Sequence, residues 1–170
     1  AVLSAKSPYH PIKDFTAVAH VGTGSQILII SAQVPAKTID EFVKYAKANP
    51  GKLNYGSAGS GSSTHLAMAY FTNSAGLDIA HIPYKSNADQ TAELLSGRIH
   101  AIMIPSIGAM SLAKDSRVIP LAVTPAARSM FFPNLPTIAE SGYPGFSYGS
   151  WFGLLGPAGL PRAATERVNT

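Results

Sequence analysis

The 170-residue sequence contains no cysteine and no long apolar segment. The missing cysteines exclude disulfides, thiolate chemistry and metal sites with cysteine ligands. No apolar run approaches the roughly 20 residues that a membrane-spanning helix needs. Positions 1–6 are too short for a signal peptide and lack its charged-then-apolar pattern, so we expect any export signal to lie outside this sequence.

Charge is also scarce and scattered along the chain. Charged residues make up 13% of the sequence, about half the usual share, and the formal net charge is +4. The lysines and arginines form no run, whereas a nucleic-acid surface needs clustered cations. We therefore expect no nucleic-acid partner.

What the chain does contain is typical of a compact α/β protein. Apolar residues reach 46%, with 15 glycines and 13 prolines that punctuate the elements. Strand and helix patterns alternate, with connections of a few residues, which predicts a mostly parallel sheet with helices on both faces. The predicted strands cover 16–21, 26–30, 53–55, 79–82, 99–104, 118–123 and 146–155, after an extended segment at 8–15.

The predicted helices carry recognisable start and stop signals. Thr38 and Glu41 form a capping box, and Gly76 is the C-terminal cap of a helix that starts near position 63. That second helix is expected to bury Leu66, Ala69 and Tyr70. Asn87 together with Gln90 is predicted to cap a third helix, and further helices are predicted from Ile107 and from Arg162. Thr137 and Glu140 are predicted to cap one helical turn.

Positions 56–63 form the most informative segment, because none of these eight residues has a side chain larger than a hydroxymethyl group. The segment joins a predicted strand to a predicted helix and would bring backbone N–H groups and hydroxyls to the positive end of that helix. This arrangement favours a site for a carboxylate or phosphate. Glycine and serine also build ordinary turns, and that alternative stays open.

Known catalytic and nucleotide-binding motifs do not fit this segment. A phosphate loop would need lysine followed by serine or threonine, but Gly61 is followed by two serines. A dinucleotide fingerprint would need glycine in place of Thr64, and no serine has the flanking glycines of a nucleophile elbow. The alternative from another class is a small serine hydrolase or transferase that uses Ser57 or Ser60 with His65, although no acid has an obvious place beside that histidine.

The five histidines stand singly, without the spacing of a metal site, and are expected to be structural: His10, His20, His65, His81 and His100. Tyr84 and Lys85 follow a predicted strand end, where a phenol could close over a ligand and an ammonium could pair with a carboxylate. A packed tyrosine and a solvated lysine explain them equally well.

Several segments, taken in order, resemble the Bug-type extracytoplasmic solute receptors of the tripartite tricarboxylate transporter family. Residues 9–16 (YHPIKDFT) are similar to the family segment YDPxKDFTPV. The other segments are 34–38 (VPAKT), 49–59 (NPGKLNYGSAG), 81–85 (HIPYK), 121–124 (LAVT), 135–142 (LPTIAESG) and 151–159 (WFGLLGPAG).

The resemblance implies a lobe of the type II periplasmic-binding-protein fold that binds a small carboxylate or dicarboxylate for a membrane transporter, without a cofactor, metal or catalytic residue. The ligand-binding positions that it implies are Ser57, Ala58, Gly59, Ser60, Gly61, Ser62 and Thr64, with Tyr84 and Lys85. It also implies a periplasmic location and transporter subunits as partners.

The same resemblance divides the chain into three parts. Residues 1–30 would be an extended segment and a crossing strand, 31–145 the ligand-binding lobe, and 146–170 a second crossing strand. A first lobe and C-terminal helices known in the family have no counterpart here, and exposed hinge strands at 21–30 and 146–155 would permit a homodimer. His100, Pro105 and Ser106 replace acidic family positions, which removes an expected acidic contact from that loop.

Overall fold

The computed structural model describes residues 8–169, which fall into two compact units. The larger unit is Ser25–Gly149, and the smaller one combines the described residues up to Gly24 with those from Ser150. The strands of the larger unit are β2 (Gln26–Ser31), β3 (Asn54–Ser57), β4 (Ala80–Pro83), β5 (Ala101–Pro105) and β6 (Val118–Val123). Its helices are α1 (Ile39–Ala48), α2 (Ser63–Ala75), α3 (Asn87–Leu95) and α4 (Ser106–Leu112).

The larger unit is a five-stranded sheet with the order β4-β3-β5-β2-β6. β3 pairs in parallel with β4 and β5, whereas β2 runs antiparallel to both β5 and β6. β4, β3, β5 and β6 therefore point the same way, and β2 is the reversed strand. The predicted α/β class with a mostly parallel sheet is confirmed.

β2 shows why helices are needed on both faces of this sheet. Its residues 27–30 are fully buried and alternate between two cores. Leu28 and Ile30 pack with residues of α1 and α2, whereas Ile27 and Ile29 pack with residues of α3 and α4. A strand that is covered on both sides reads as the continuous apolar run seen in the sequence.

The helix starts follow local side-chain capping. Thr38 Oγ1 accepts the Glu41 N–H at 3.2 Å, as the capping box predicts. The Glu41 carboxylate accepts the Lys37 N–H at 2.6 Å. In the standard motif it would accept the N–H of the capping residue itself, Thr38. The predicted cap of α3 at Asn87 is wrong by one residue, because Ser86 has the extended backbone of an N-cap and accepts the N–H of the third helical residue.

The buried face of α2 differs from the prediction. Leu66 and Tyr70 are 38% and 41% exposed, while Met68 and Phe71 are fully buried. The helix carries two apolar stripes, and the stripe through Met68 and Phe71 faces the sheet. Tyr70 instead stacks on Phe146, with ring centroids 4.5 Å apart.

The smaller unit contains β1 (Phe15–Gly24), β7 (Ser150–Pro157) and α5 (Arg162–Val168). β1 and β7 form an antiparallel pair, which extends β1 through the glycine-containing segment where a break was predicted. The predicted strand at 146–155 starts only at Ser150, and residues 26–30, predicted to be part of a hinge strand, belong to the main sheet. Residues 10–14 turn back on themselves rather than extend, since the Asp14 carboxylate accepts the His10 N–H at 2.7 Å.

None of the helices within residues 8–169 combines the length and the apolar character that a bilayer crossing requires.

Candidate functional site

The glycine- and serine-rich loop connects the end of β3 to the start of α2, at the carboxyl edge of the sheet. β4 ends beside it, because Ser57 pairs with Pro83 and the Tyr84 N–H donates to the Ser57 carbonyl at 2.9 Å. β5, on the other side of β3, ends at the same edge. Loops that follow neighbouring parallel strands at this edge are the usual ligand-binding elements of such sheets.

Ser57 is the anchor of the loop. It is fully buried, and its hydroxyl donates to the Gly59 carbonyl at 3.1 Å while accepting the Gly59 N–H at 3.2 Å. His81 Nε2 lies 2.7 Å from the same hydroxyl oxygen. Three contacts on one buried oxygen fix the first turn of the loop against β4.

Side chains at the start of α2 bind most of the remaining loop amides. The Ala58 N–H donates to Thr64 Oγ1 and the Gly61 N–H donates to His65 Nδ1, each at 3.0 Å. The Ser62 N–H donates to the Gly59 carbonyl at 3.1 Å. The positive φ angles of Gly59 (112°) and Gly61 (79°) permit this path, which a residue with a Cβ rarely adopts.

Only part of the loop is therefore available to a ligand. Within residues 8–169, the N–H groups of Ser60, Ser63 and Thr64 have no hydrogen-bond acceptor in the protein. Ser63 and Thr64 are the first two residues of α2, where an N–H has no acceptor within its own helix. Ser60 and Ser63 are exposed and Thr64 is buried, and their three unpaired N–H groups are called the donor group below.

Three rings stack beside the loop. The centroids of His65 and His81 are 3.9 Å apart with an interplanar angle of 12°, and Tyr55 stacks on His81 at 5.0 Å. Burial lowers the pKa of His81, and the neighbouring His65 lowers it further. Burial raises the pKa of the Tyr55 phenol. In the sequence these histidines stand singly. They come together because the register of β3 against β4 pairs Tyr55 with His81.

Tyr84 and Lys85 take different positions at this edge. The Tyr84 ring packs with the core between the sheet and α3 and α4, on the face opposite to Tyr55. Burial raises the pKa of its phenol first, and Glu93 raises it further while Arg98 lowers it. Its backbone carbonyl, rather than its ring, lies next to Gly59. Lys85 is exposed and makes no ion pair or hydrogen bond within the described chain.

The arrangement differs from a serine hydrolase site. Ser57 pairs with His81 rather than His65, and its hydroxyl oxygen is buried and already engaged. Ser60 has no side-chain bond to either histidine, and no carboxylate of residues 8–169 bonds to them. The part of the chain that the structure covers also contains no group of three or more residues that could hold a metal ion.

The positions that replace acidic family residues have structural contacts. His100 lies at the opposite edge of the sheet, where its Nδ1 accepts the Asn54 N–H at 3.2 Å. Ser106 begins α4 and donates to the Ser25 carbonyl at 3.1 Å, beside a short contact between the two hydroxyls. Neither residue adds a charge to the carboxyl edge.

Comparison with known proteins gives a consistent set of relatives. A family model described as "Tripartite tricarboxylate transporter family receptor" matches residues 2–170. A Pseudomonas protein from the tcbD-tcbE intergenic region is 38% identical over 166 residues, which are 95% of this chain and 48% of that protein.

Solved structures match the same fold. An R. palustris protein with adipate has a TM-score of 0.88 and 32% identity, covering 96% of this chain and 55% of that chain. The periplasmic binding protein BugD has a TM-score of 0.84 and 29% identity, with coverages of 94% and 54%. MatC from Rhodopseudomonas palustris with bound malate has a TM-score of 0.82 and 28% identity, with coverages of 94% and 57%.

The chain spans about half the length of the curated relatives that it matches. The family is a class of periplasmic solute-binding receptors rather than a class of enzymes. Because the family model covers nearly every residue, the chain belongs to the Bug-type receptors of the tripartite tricarboxylate transporter family.

Proposed function

We propose that this chain supplies one half of a periplasmic receptor that binds a small carboxylate or dicarboxylate and delivers it to a tripartite tricarboxylate-type membrane transporter. The larger unit, Ser25–Gly149, would form the ligand-binding lobe, and the segments on either side of it would lead to a second lobe. The observation that carries the proposal is the set of unpaired N–H groups of Ser60, Ser63 and Thr64 at the carboxyl edge of the sheet.

The chemistry of this donor group suits a carboxylate. Backbone N–H groups at the start of α2 lie at the positive end of the helix, where negative charge is favoured. The internal bonds of Ser57, Thr64 and His65 hold the loop in place before a ligand arrives, which lowers the entropic cost of binding. Two related proteins, 32% and 28% identical to this chain, were solved with adipate and malate.

Lys85 is an exposed cation that has no ion-pair or hydrogen-bond partner within the described residues. It follows β4 directly, at the edge where the loop lies. A long ammonium side chain there would approach the second carboxylate of a dicarboxylate without being buried. Tyr84 would support the loop through its backbone, and its ring would stay in the core.

Removing a single N–H group tests the proposal. Ser63→Pro deletes the first N–H of α2 at the position where proline is tolerated, and Ser62 already has the extended backbone that precedes a proline (φ −65°, ψ 162°). We expect the dissociation constant for adipate to rise at least tenfold, because a hydrogen bond to a charged group contributes about 1.5–3 kcal/mol. Binding is measured by NMR titration of the 170-residue chain with up to tens of millimolar ligand.

Ser63→Ala is the matched control, because it removes the hydroxyl and keeps the N–H group. It should bind adipate as the wild type does. The proposal fails if neither adipate nor malate shifts the amide signals of Ser60, Ser63 and Thr64 at tens of millimolar ligand, or if Ser63→Ala weakens binding as much as Ser63→Pro.

The hydrolase alternative predicts turnover of generic esters that disappears in His65→Ala. We expect no turnover above the uncatalysed rate in the wild type, because the Ser57 hydroxyl is fully buried and Ser60 has no base. Spectrophotometric assay of nitrophenyl esters measures this. Hydrolysis that depends on both His65 and one of the two serines would contradict the receptor proposal.

A further inference from the structure

The two stacked histidines beside the loop differ in the hydrogen bonds that their rings make. His65 and His81 are both partly exposed, and their parallel rings lie 3.9 Å apart. Two imidazolium ions at that distance would repel each other strongly, so the pair holds at most one added proton. Which ring takes it is decided by the hydrogen bonds that each ring already makes.

A proton on His65 Nδ1 would cost the loop a hydrogen bond. Its Nδ1 accepts the Gly61 N–H at 3.0 Å and must therefore carry a lone pair. A proton on that nitrogen would break this hydrogen bond and release Gly61, the third glycine of the loop. His65 is also the third residue of α2, close to the positive end of the helix, where a further positive charge is unfavourable.

His81 can be protonated with every bond intact. The Ser57 hydroxyl has one hydrogen, which it donates to the Gly59 carbonyl, and it accepts the Gly59 N–H. With the hydroxyl hydrogen on the Gly59 carbonyl, the remaining contact, 2.7 Å from His81 Nε2, is satisfied when that nitrogen is the donor. A proton added at Nδ1 of His81 leaves this donor unchanged, in the neutral ring and in the imidazolium alike.

The charged groups around His81 leave its positive form unsupported in the unliganded protein. Tyr55 on β3 is a neutral phenol, Ser57 is a neutral hydroxyl, and His65 on α2 disfavours the charged form. No carboxylate of residues 8–169 bonds to either imidazole. Burial and His65 together lower the pKa of His81. A bound anion would supply the missing negative charge.

We propose that His81 takes up one proton when a carboxylate binds at the loop, so that ligand binding and protonation of this ring are coupled. The proposal rests on the proposed function and adds a residue and a pH dependence to it. His81 stacks on the residue that follows the unpaired Ser63 and Thr64 N–H groups, so its charge lies on the order of 8–10 Å from the ligand. At that distance, a partly screened attraction corresponds to an affinity change of about fivefold.

The direction of the pH dependence follows from the two pKa values of His81. In the free protein the pKa lies below the ordinary value of 6.5, and the anion raises it in the complex. Between these two values, binding takes up a proton. The dissociation constant therefore falls as the pH is lowered through the pKa of the complex, and it levels off below the pKa of the free protein.

NMR titrations with adipate at pH 6.0 and pH 8.0 test the coupling. Relative to His81→Gln, whose side-chain amide keeps a donor near Ser57 but cannot be charged, we expect the wild type to gain affinity from pH 8.0 to pH 6.0 by up to about fivefold. The dissociation constant at pH 8.0 is divided by the one at pH 6.0 for each protein, and the two quotients are compared. Protonation of adipate itself affects both quotients equally, because both proteins receive the same ligand. His100→Asn is the control, since this half-buried histidine also has a lowered pKa but lies at the opposite edge; it should retain the wild-type pH dependence.

A second measurement does not depend on any variant. The ring carbon signals of His81 report its pKa directly, and saturation with adipate should raise that pKa while the signals of His100 stay unchanged. If the His81 pKa does not move, or if His81→Gln retains the full pH dependence, the coupling is refuted and carboxylate binding stands. If adipate does not bind at either pH, the proposed function fails and the coupling fails with it.

Discussion

Replacing Phe71 with alanine is expected to lower the free energy of unfolding of the larger unit by about 3–5 kcal/mol. Phe71 is fully buried on the inner face of α2 and packs edge-on against Tyr143 and Phe146, with ring centroids at 5.6 and 6.4 Å. Truncation would leave a cavity that three separate chain segments border and that a backbone shift cannot easily close. Such a loss is a large part of the stability of an ordinary domain.

Leu66→Ala on the same helix is the matched control. Its side chain is 38% exposed, so the loss should stay below about 1 kcal/mol. Urea unfolding followed by circular dichroism at 222 nm suits the comparison, because the single tryptophan, Trp151, lies in the smaller unit and would not report on this core. Equal losses in the two variants, or a larger loss for Leu66→Ala, would show that the buried face of α2 has been assigned incorrectly.

The predictions that proved correct depend on few neighbours. The capping box at Thr38 and Glu41 lies within four residues, and Gly76 ends α2 in the left-handed conformation that its sequence position indicates. Thr137 and Glu140 likewise exchange bonds, with the Thr137 N–H to the carboxylate at 2.9 Å and the Glu140 N–H to the hydroxyl at 3.0 Å. The order of strands and helices follows from the same short-range patterns.

The predictions that failed required a choice between equivalent local patterns. α2 has two apolar stripes, and its sequence does not say whether Tyr70 or Phe71 meets the sheet. The pattern of β2 identifies a strand that is buried on both sides but carries no information about direction, and the structure places it antiparallel to both neighbours. β1 extends to Gly24 only because β7, more than 120 residues later, supplies its hydrogen bonds.

At the candidate site, too, the features that depend on local sequence were predictable and those that depend on distant residues were not. The small residues at 56–63 predict an exposed turn at the start of a helix, and the structure contains one. Which of its N–H groups stay unpaired depends on where Thr64 and His65 point, and the sequence could not show this. The contact between Ser57 and His81 joins residues 24 positions apart and exists only because β3 and β4 pair in this register.

Ser57→Ala is expected to weaken adipate binding at least tenfold and to lower the free energy of unfolding by about 1–3 kcal/mol. The change removes the acceptor of the Gly59 N–H, the donor to the Gly59 carbonyl and the partner of His81 Nε2, all in a buried position. The loop would then have to be ordered during binding, and this entropic cost would appear as lost affinity. NMR titration and urea unfolding measure the two effects.

Ser60→Ala separates this anchoring role from a direct contact by a serine hydroxyl. Ser60 is exposed, and its hydroxyl has no partner among residues 8–169, so its removal should change the free energy of unfolding by less than about 0.5 kcal/mol. Its N–H group, which the proposal uses, is retained. Heteronuclear relaxation of the amides at 58–62 should show faster motion in Ser57→Ala than in Ser60→Ala. If both variants keep a rigid loop while only Ser57→Ala loses adipate, the hydroxyl of Ser57 contacts the ligand itself and the anchoring account is wrong.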